Sequence, residues 1–129
     1  MTDTPSTKPL IDKLGVKPGM SVTVINVDDA SFLTELEALA NVGTGTPPPD
    51  QDLVFYGVET ADDMPRLAAL RASIKPNGAV WVVFRKGRRD FNENDVLRLG
   101  LESGLVDVKI VRFSDTHSAL KFVIRKKDR

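Results

Sequence analysis

The spacing of its apolar, β-branched runs constrains this chain more than any other feature. Met20–Val27 (MSVTVINV), Asp52–Val58 (DLVFYGV), Ala79–Arg85 (AVWVVFR) and Val106–Phe113 (VDVKIVRF) each read as a strand, and a helical stretch separates each from the next. Strands that alternate with helices cannot close as hairpins. They form a mainly parallel sheet whose right-handed crossovers put helices on both faces. A fifth run, Ser118–Arg125 (SALKFVIR), follows the fourth after only Ser114–His117, which is short enough for an antiparallel hairpin. In chain order these are runs A to E.

The segments between the runs carry helix and turn signals. Thr7–Leu14 predicts a short helix, with Thr7 as its cap, Pro9 in its first turn and Gly15 past its end. Ala30–Asn41 has Phe32, Leu33, Leu36, Leu39 and Ala40 at helical spacing, with Asp29 or Ser31 placed to cap it. Asp62 or Asp63 starts a helix reaching about Ile74, and Asn92 with Asp95 opens a capped helix that stops before Gly104. Gly43–Asp50 (GTGTPPPD) is too rich in Gly and Pro for a helix or an interior strand, and reads as a loop, partly polyproline II. Pro76-Asn77-Gly78 reads as a turn into run C, and Arg125–Arg129 as a frayed basic tail.

At 129 residues the chain is the size of one domain, so a single α/β domain over residues 1–129 is expected. It has no cysteine, which removes disulfides, thiolate metal sites and a cysteine nucleophile. No His/Asp/Glu spacing resembles a metal box, and neither a Gly-x-Ser-x-Gly nor a phosphate-loop motif occurs. The opening residues, MTDTPSTKPL, lack the basic start and apolar stretch of a secretory signal. The longest strongly apolar run, Ala79–Phe84, is too short to cross a bilayer. A cytoplasmic protein without membrane contact is the expectation. Net charge is zero, yet Met1–Pro65 holds 3 Lys/Arg against 11 Asp/Glu while Arg66–Arg129 holds 15 against 7. That asymmetry marks an interaction face, or two faces that pair within one globule or across a homodimer. The zero balance argues against nucleic acid as a partner.

LGVKPGM before run A, DLVFYGV in B, LRASIKPNGAVWVV into C, and GLVDVKIVRF with SALKFVIRK at the end carry a resemblance. The chain resembles a SAM-dependent methyltransferase, and more closely a group of short bacterial methyltransferase-like proteins of uncharacterised function. The resemblance covers nearly the whole chain. It implies a three-layer, Rossmann-like (methyltransferase-like) α/β fold with a mostly parallel sheet in the order A-B-C-E-D, the last strand E running antiparallel. It also implies a cofactor signature, an aspartate in the first strand followed by Gly-x-Gly-x-Gly. Aligned through Pro18-Gly19-Met20, the aspartate position falls on Val24 and the glycine positions on Asn26, Asp28 and Ala30. Glycines let a backbone turn tightly and approach a ligand with no Cβ in the way. Asp28 and Asp29 would also put negative charge where a cofactor carboxylate would come. Only 24 residues separate Val27 from Asp52, holding one helix and the proline-rich loop. A further strand–helix–strand unit, and with it the acidic residue that grips a ribose, has no place there. No cofactor is expected, and SAM is disfavoured.

In a sheet of this kind a ligand sits outside the carboxyl ends of the parallel strands. That edge gathers Asn26, Asp28 and Asp29 after run A, and Glu59 and Thr60 after B. It adds Arg85, Lys86, Arg88, Arg89 and Asp90 after C, and Asp115, Thr116, His117 and Ser118 from the D–E hairpin. Asp28 and Asp29 suit a helix N-terminus as well as a ligand. The RKGRRD loop can fork a phosphate or carboxylate, or be a solvated surface. His117, the sole histidine, can carry a proton or make a structural hydrogen bond. No catalytic residue or metal ligand is assigned. Two functions fit: a non-catalytic methyltransferase-like binding or interaction domain, acting through homodimerisation or a protein partner, or a small protein for an anionic metabolite at Arg85–Arg89 near His117. The latter would be a ligand-binding protein or a divergent methyltransferase-like enzyme. A pocket beyond A and B, open or filled by the Asp50 loop, separates the two.

Overall fold

The computed structural model describes residues 9–129, so the expected cap at Thr7 lies outside the described residues. The chain runs α1 (Leu10–Lys13), β1 (Ser21–Ile25), α2 (Ala30–Leu39), β2 (Asn41–Thr44), β3 (Gln51–Val58), α3 (Arg66–Arg71), β4 (Ile74–Arg85), α4 (Glu93–Glu102), β5 (Leu105–Arg112) and β6 (His117–Ile124). Six strands form one sheet in the order β2-β1-β3-β4-β6-β5. The first four are mutually parallel, and β6 runs antiparallel to both β4 and β5. Runs A, B, C, E and D therefore lie in the expected order, with one strand added outside A.

The central strands explain why the apolar runs are so legible. β3 and β4 are covered on both faces, so their residues are apolar almost without interruption. Val54, Tyr56, Val80, Val82 and Phe84 pack in one layer with Leu67 and Leu70 of α3 and Val96 of α4. Leu53, Phe55, Ala79, Trp81 and Val83 pack in the other with Ile11 and Leu14 at α1 and Phe32 and Leu36 of α2. Burying a side chain of this size contributes about 1.5–3 kcal/mol. Polar atoms in these layers are paired: the Trp81 indole Nε1 donates to the Leu14 carbonyl at 3.1 Å, and the Thr23 hydroxyl donates to Gln51 Oε1 at 2.8 Å.

Four boundaries differ from the sequence reading. The expected helix to Asn41 stops at Leu39, where Ala40 turns extended, and Asn41–Thr44 pairs in parallel register with Ser21–Val24. β2 escapes the pattern because it is a short, largely exposed edge strand held by backbone bonds, with no apolar stripe to read. Its link to β3 is the six-residue stretch 45–50, in which three prolines stand where a crossover helix would otherwise form. Strand β4 begins at Ile74, five residues before run C, so Pro76, Asn77 and Gly78 lie within it across a register shift against β3. The helix expected from Asp62 to Ile74 is a 3-10 turn at Ala61–Asp63 followed by α3 alone. At the other end, Lys126–Asp128 makes a 3-10 turn, and the Arg129 Nε donates to the Ile124 carbonyl at 2.9 Å. No helix among the described residues is long and apolar enough to cross a membrane.

Candidate functional site

Beyond the carboxyl ends of β1, β3 and β4 the fold leaves a cleft of about 840 Å3. Its floor is apolar, made by Val24 and Ile25 of β1, Val58 of β3, Val83 of β4, Leu33 of α2 and Phe113 before the hairpin. Its polar rim comes from four loops, each shaped by local hydrogen bonding.

At the end of β1 the chain turns through Asn26, which holds a left-handed φ of 57°. Asparagine tolerates that region better than most residues. The turn drives the Asn26 carbonyl against β3, where Gly57 is the residue it meets. Asp29 then caps α2, its Oδ1 accepting from the Phe32 N–H at 3.0 Å. The capping reading thus accounts for one of the two aspartates, and Asp28 stays exposed on the rim. After β3, the Asp63 carboxylate accepts from the Glu59 and Thr60 N–H groups at 2.8 and 3.1 Å. The Tyr56 hydroxyl donates to the Asp63 carbonyl at 2.6 Å, so Tyr56 braces this turn from within the core.

Within the RKGRRD loop, Arg88 is the cation engaged with the protein itself among the described residues. Arg88 donates from Nε and Nη2 to the two oxygens of Asp90, at 3.1 and 2.8 Å, and from Nη1 to the Glu59 carbonyl. The Arg88 hydrogen bond holds the Asp90 carboxyl below the usual range, while Asp90 in turn raises the guanidinium. The Lys86 N–H donates to the Thr116 carbonyl at 3.0 Å, which ties this loop to the β5–β6 hairpin. Arg85 lines the rim, exposed, with no ion pair among the described residues.

His117 pairs across the sheet with Arg85. Its N–H donates to Ser114 Oγ at 3.1 Å, and its Nδ1 lies 2.7 Å from the Thr116 hydroxyl, leaving Nε2 without a protein partner among the described residues. Burial, reinforced by the Arg85 charge, holds the imidazole below its ordinary pKa, against the opposing pull of Asp29 and Glu59. At neutral pH the neutral form of the ring is therefore favoured.

Of the ten candidates read from the sequence, Asn26, Asp28, Asp29, Glu59, Arg85, Arg88 and His117 line the cleft. Lys86, Arg89 and Asp115 do not, and Asp115 is turned to Arg112 at 2.6 Å. The cleft also takes Thr44, Gly45, Gly57, Asp63 and Ser114, which the sequence reading did not single out. Thr44 ends β2 and Gly45 comes directly after it, so only finding that strand would have placed them. The proline stretch does not fill the cleft: within 45–50, Gly45 alone reaches its lining. No group of three or more His, Asp or Glu side chains suited to a metal ion occurs among the described residues.

No family model and no curated protein matches the chain. Solved structures do. A SAM-dependent methyltransferase from Aquifex aeolicus superposes with a TM-score of 0.71 at 16% identity, covering 90% of this chain and 88% of that one. The fold is methyltransferase-like. A TehB-like SAM-dependent methyltransferase from Corynebacterium glutamicum gives 0.59 at 13% identity, covering 89% and 85%. A chain of the complex containing the Haloferax volcanii Trm112 methyltransferase activator gives 0.64 at 11% identity, covering 85% of each chain. Asn26, which the sequence resemblance aligns with the first glycine of the cofactor signature, holds a left-handed turn, and Ala30 opens α2. The described interval between β1 and β3 holds no second helix, so the full strand–helix–strand unit is absent, but a single strand, β2, does fit beside β1. At its carboxyl end β2 presents Thr44 and then Gly45, neither of which carries a carboxylate.

Proposed function

We propose that this chain is a non-catalytic, methyltransferase-like domain that binds a small molecule in the cleft at the carboxyl edge of its sheet. One observation carries the reading: the cleft is open and apolar-floored, with polar groups converging on it from four loops, and the proline stretch leaves it clear. Catalysis by methyl transfer is disfavoured because Asn26, Asp28 and Ala30 stand at the glycine positions and β2 ends without a carboxylate. A purely anionic metabolite fits less well than the arginine-rich loop suggested. Arg88 is committed to Asp90, and Asp28, Asp29, Glu59 and Asp63 share the rim. The Haloferax neighbour comes from a complex with an activator protein, which supports a protein partner as the second reading.

The test is a fragment screen on the 15N-labelled chain. Binding should move the amides of Gly45, Gly57, Thr116 and His117 together, while SAM at millimolar concentration should give no saturable shift or heat. Micromolar SAM binding would restore the enzyme reading. A screen in which no fragment moves those four amides would leave the partner reading in its place.

A further inference from the structure

We propose that the cleft takes a dipolar ligand, with its ammonium end over the carboxylates that come after β1 and β3 and its anionic end at Arg85 on β4. The inference rests on the reading that the cleft binds a small molecule, and it names the class. Its basis is how the sheet distributes charge. Strands β2, β1 and β3 come from Met1–Pro65, which holds 3 basic against 11 acidic residues. Strands β4, β6 and β5 come from Arg66–Arg129, with 15 against 7. The sheet order keeps the halves apart, so the asymmetry along the chain becomes an asymmetry across the molecule. Their boundary is the β3–β4 junction, and the cleft stands over it.

The halves scarcely neutralise each other. Among the described residues Lys75–Asp52 is the one ion pair that joins them, at 3.0 Å, and it lies where β3 and β4 begin, at the far end from the cleft. The other five pairs stay within the basic half. At the cleft, Asp28, Glu59 and Arg85 have no ion-pair partner among the described residues, whereas Arg88 is held by Asp90.

Spacing then sets the kind of dipole. β1 and β4 flank β3, so their carboxyl ends lie two strand spacings apart, about 10 Å. An α-amino acid, whose two charged groups share one carbon, can reach only from Glu59 to Arg85 on the adjacent strands and leaves Asp28 unanswered. An ω-amino acid of several carbons spans the full distance, with its methylenes on the apolar floor and its ends at opposite rims. A simple anion would face Asp28, Asp29 and Glu59, and a simple cation would leave Arg85 unanswered.

The test titrates the 15N-labelled full chain with γ-aminobutyrate and ε-aminocaproate, and with hexylammonium and hexanoate as singly charged counterparts. The dipolar probes should move the Gly45, Gly57 and Thr116 amides with at least roughly tenfold tighter affinity than either counterpart. Arg85→Gln should lower ε-aminocaproate to the affinity of hexylammonium, and Asp28→Asn with Glu59→Gln should lower it to that of hexanoate. These three side chains are exposed, and retained amide dispersion confirms that the variants fold. Equal or tighter binding of a singly charged probe would overturn the dipolar assignment while leaving a binding cleft. Failure of all four probes to move these amides would also overturn it, and the wider fragment screen would still decide whether the cleft binds anything.

Discussion

At Gly57 an added Cβ would sit 2.0 Å from the carbonyl oxygen of Asn26 and 2.8 Å from its carbonyl carbon. Both are backbone atoms, so no side-chain rotation relieves the clash. Gly57→Ala should therefore destabilise the fold by at least the roughly 1–3 kcal/mol typical of overpacking, read from the midpoint of a denaturant titration. An unchanged midpoint would mean that the Asn26 turn can move. The sequence offered no sign of this role, because a lone glycine in a strand pattern is read only as a weak point or a bulge. Asp29 was more open to reading. It stood beside Ser31 as one of two candidate caps, and the structure selects it, its carboxylate accepting from the Phe32 N–H to cap α2.

Among the elements, α4 was the most legible. Asn92 accepts from the Asp95 N–H at 3.2 Å and the Asp95 carboxylate accepts from the Asn92 N–H at 3.0 Å, closing the box that the spacing predicts. Asn92→Ala should cost about 1 kcal/mol of stability, measured by thermal or denaturant unfolding, whereas Asn92→Ser should cost little. Equal loss in both variants would assign the effect to something other than the cap. Where α4 meets the sheet, the Phe122 ring lies so close to Gly100 that a Cβ there would come within 2.1 Å of it. That contact joins residues remote in sequence, and no helical periodicity announces it. β2 was missed for a related reason: the signal of an edge strand is its neighbour's free backbone, which lies on another segment.

At the scale of the whole molecule, the charge state of His117 depends on groups from several separate segments. Burial in the hairpin and the nearby Arg85 lower its pKa, with Lys86 adding to the effect, while Asp29 and Glu59 oppose it. In the unfolded chain a histidine titrates near pH 6.5. Between that value and the lower native one, the unfolded chain holds a proton that the native state does not, so the neutral ring's contribution to stability is complete above about pH 6.5. It is lost as pH falls through the native pKa, and below that it changes no further. As the sole histidine, His117 gives a single, unambiguous imidazole Hε1 resonance for the titration. Its midpoint should fall below 6.5, and His117→Gln should flatten the slope of stability against pH in that window. A midpoint at or above 6.5 would mean that the carboxylates outweigh burial and Arg85.

Local information settles what a short window can hold. The apolar runs, the helix caps at Asp29 and Asn92, and the alternation that demands a parallel sheet are all properties of neighbours in the chain, and they were readable as such. The antiparallel seat of β6 between β4 and β5 was legible through the family resemblance together with a short hairpin loop. The tertiary structure decided the rest. It placed β2 at the edge of the sheet and left the cleft open. It turned Arg88 onto Asp90 and Glu59, brought Arg85 beside His117, and set an acidic flank against a basic one. Each of these depends on how far apart residues from different segments come to lie. Electrostatic and steric energies vary with those distances in space, and separation along the chain leaves them undetermined.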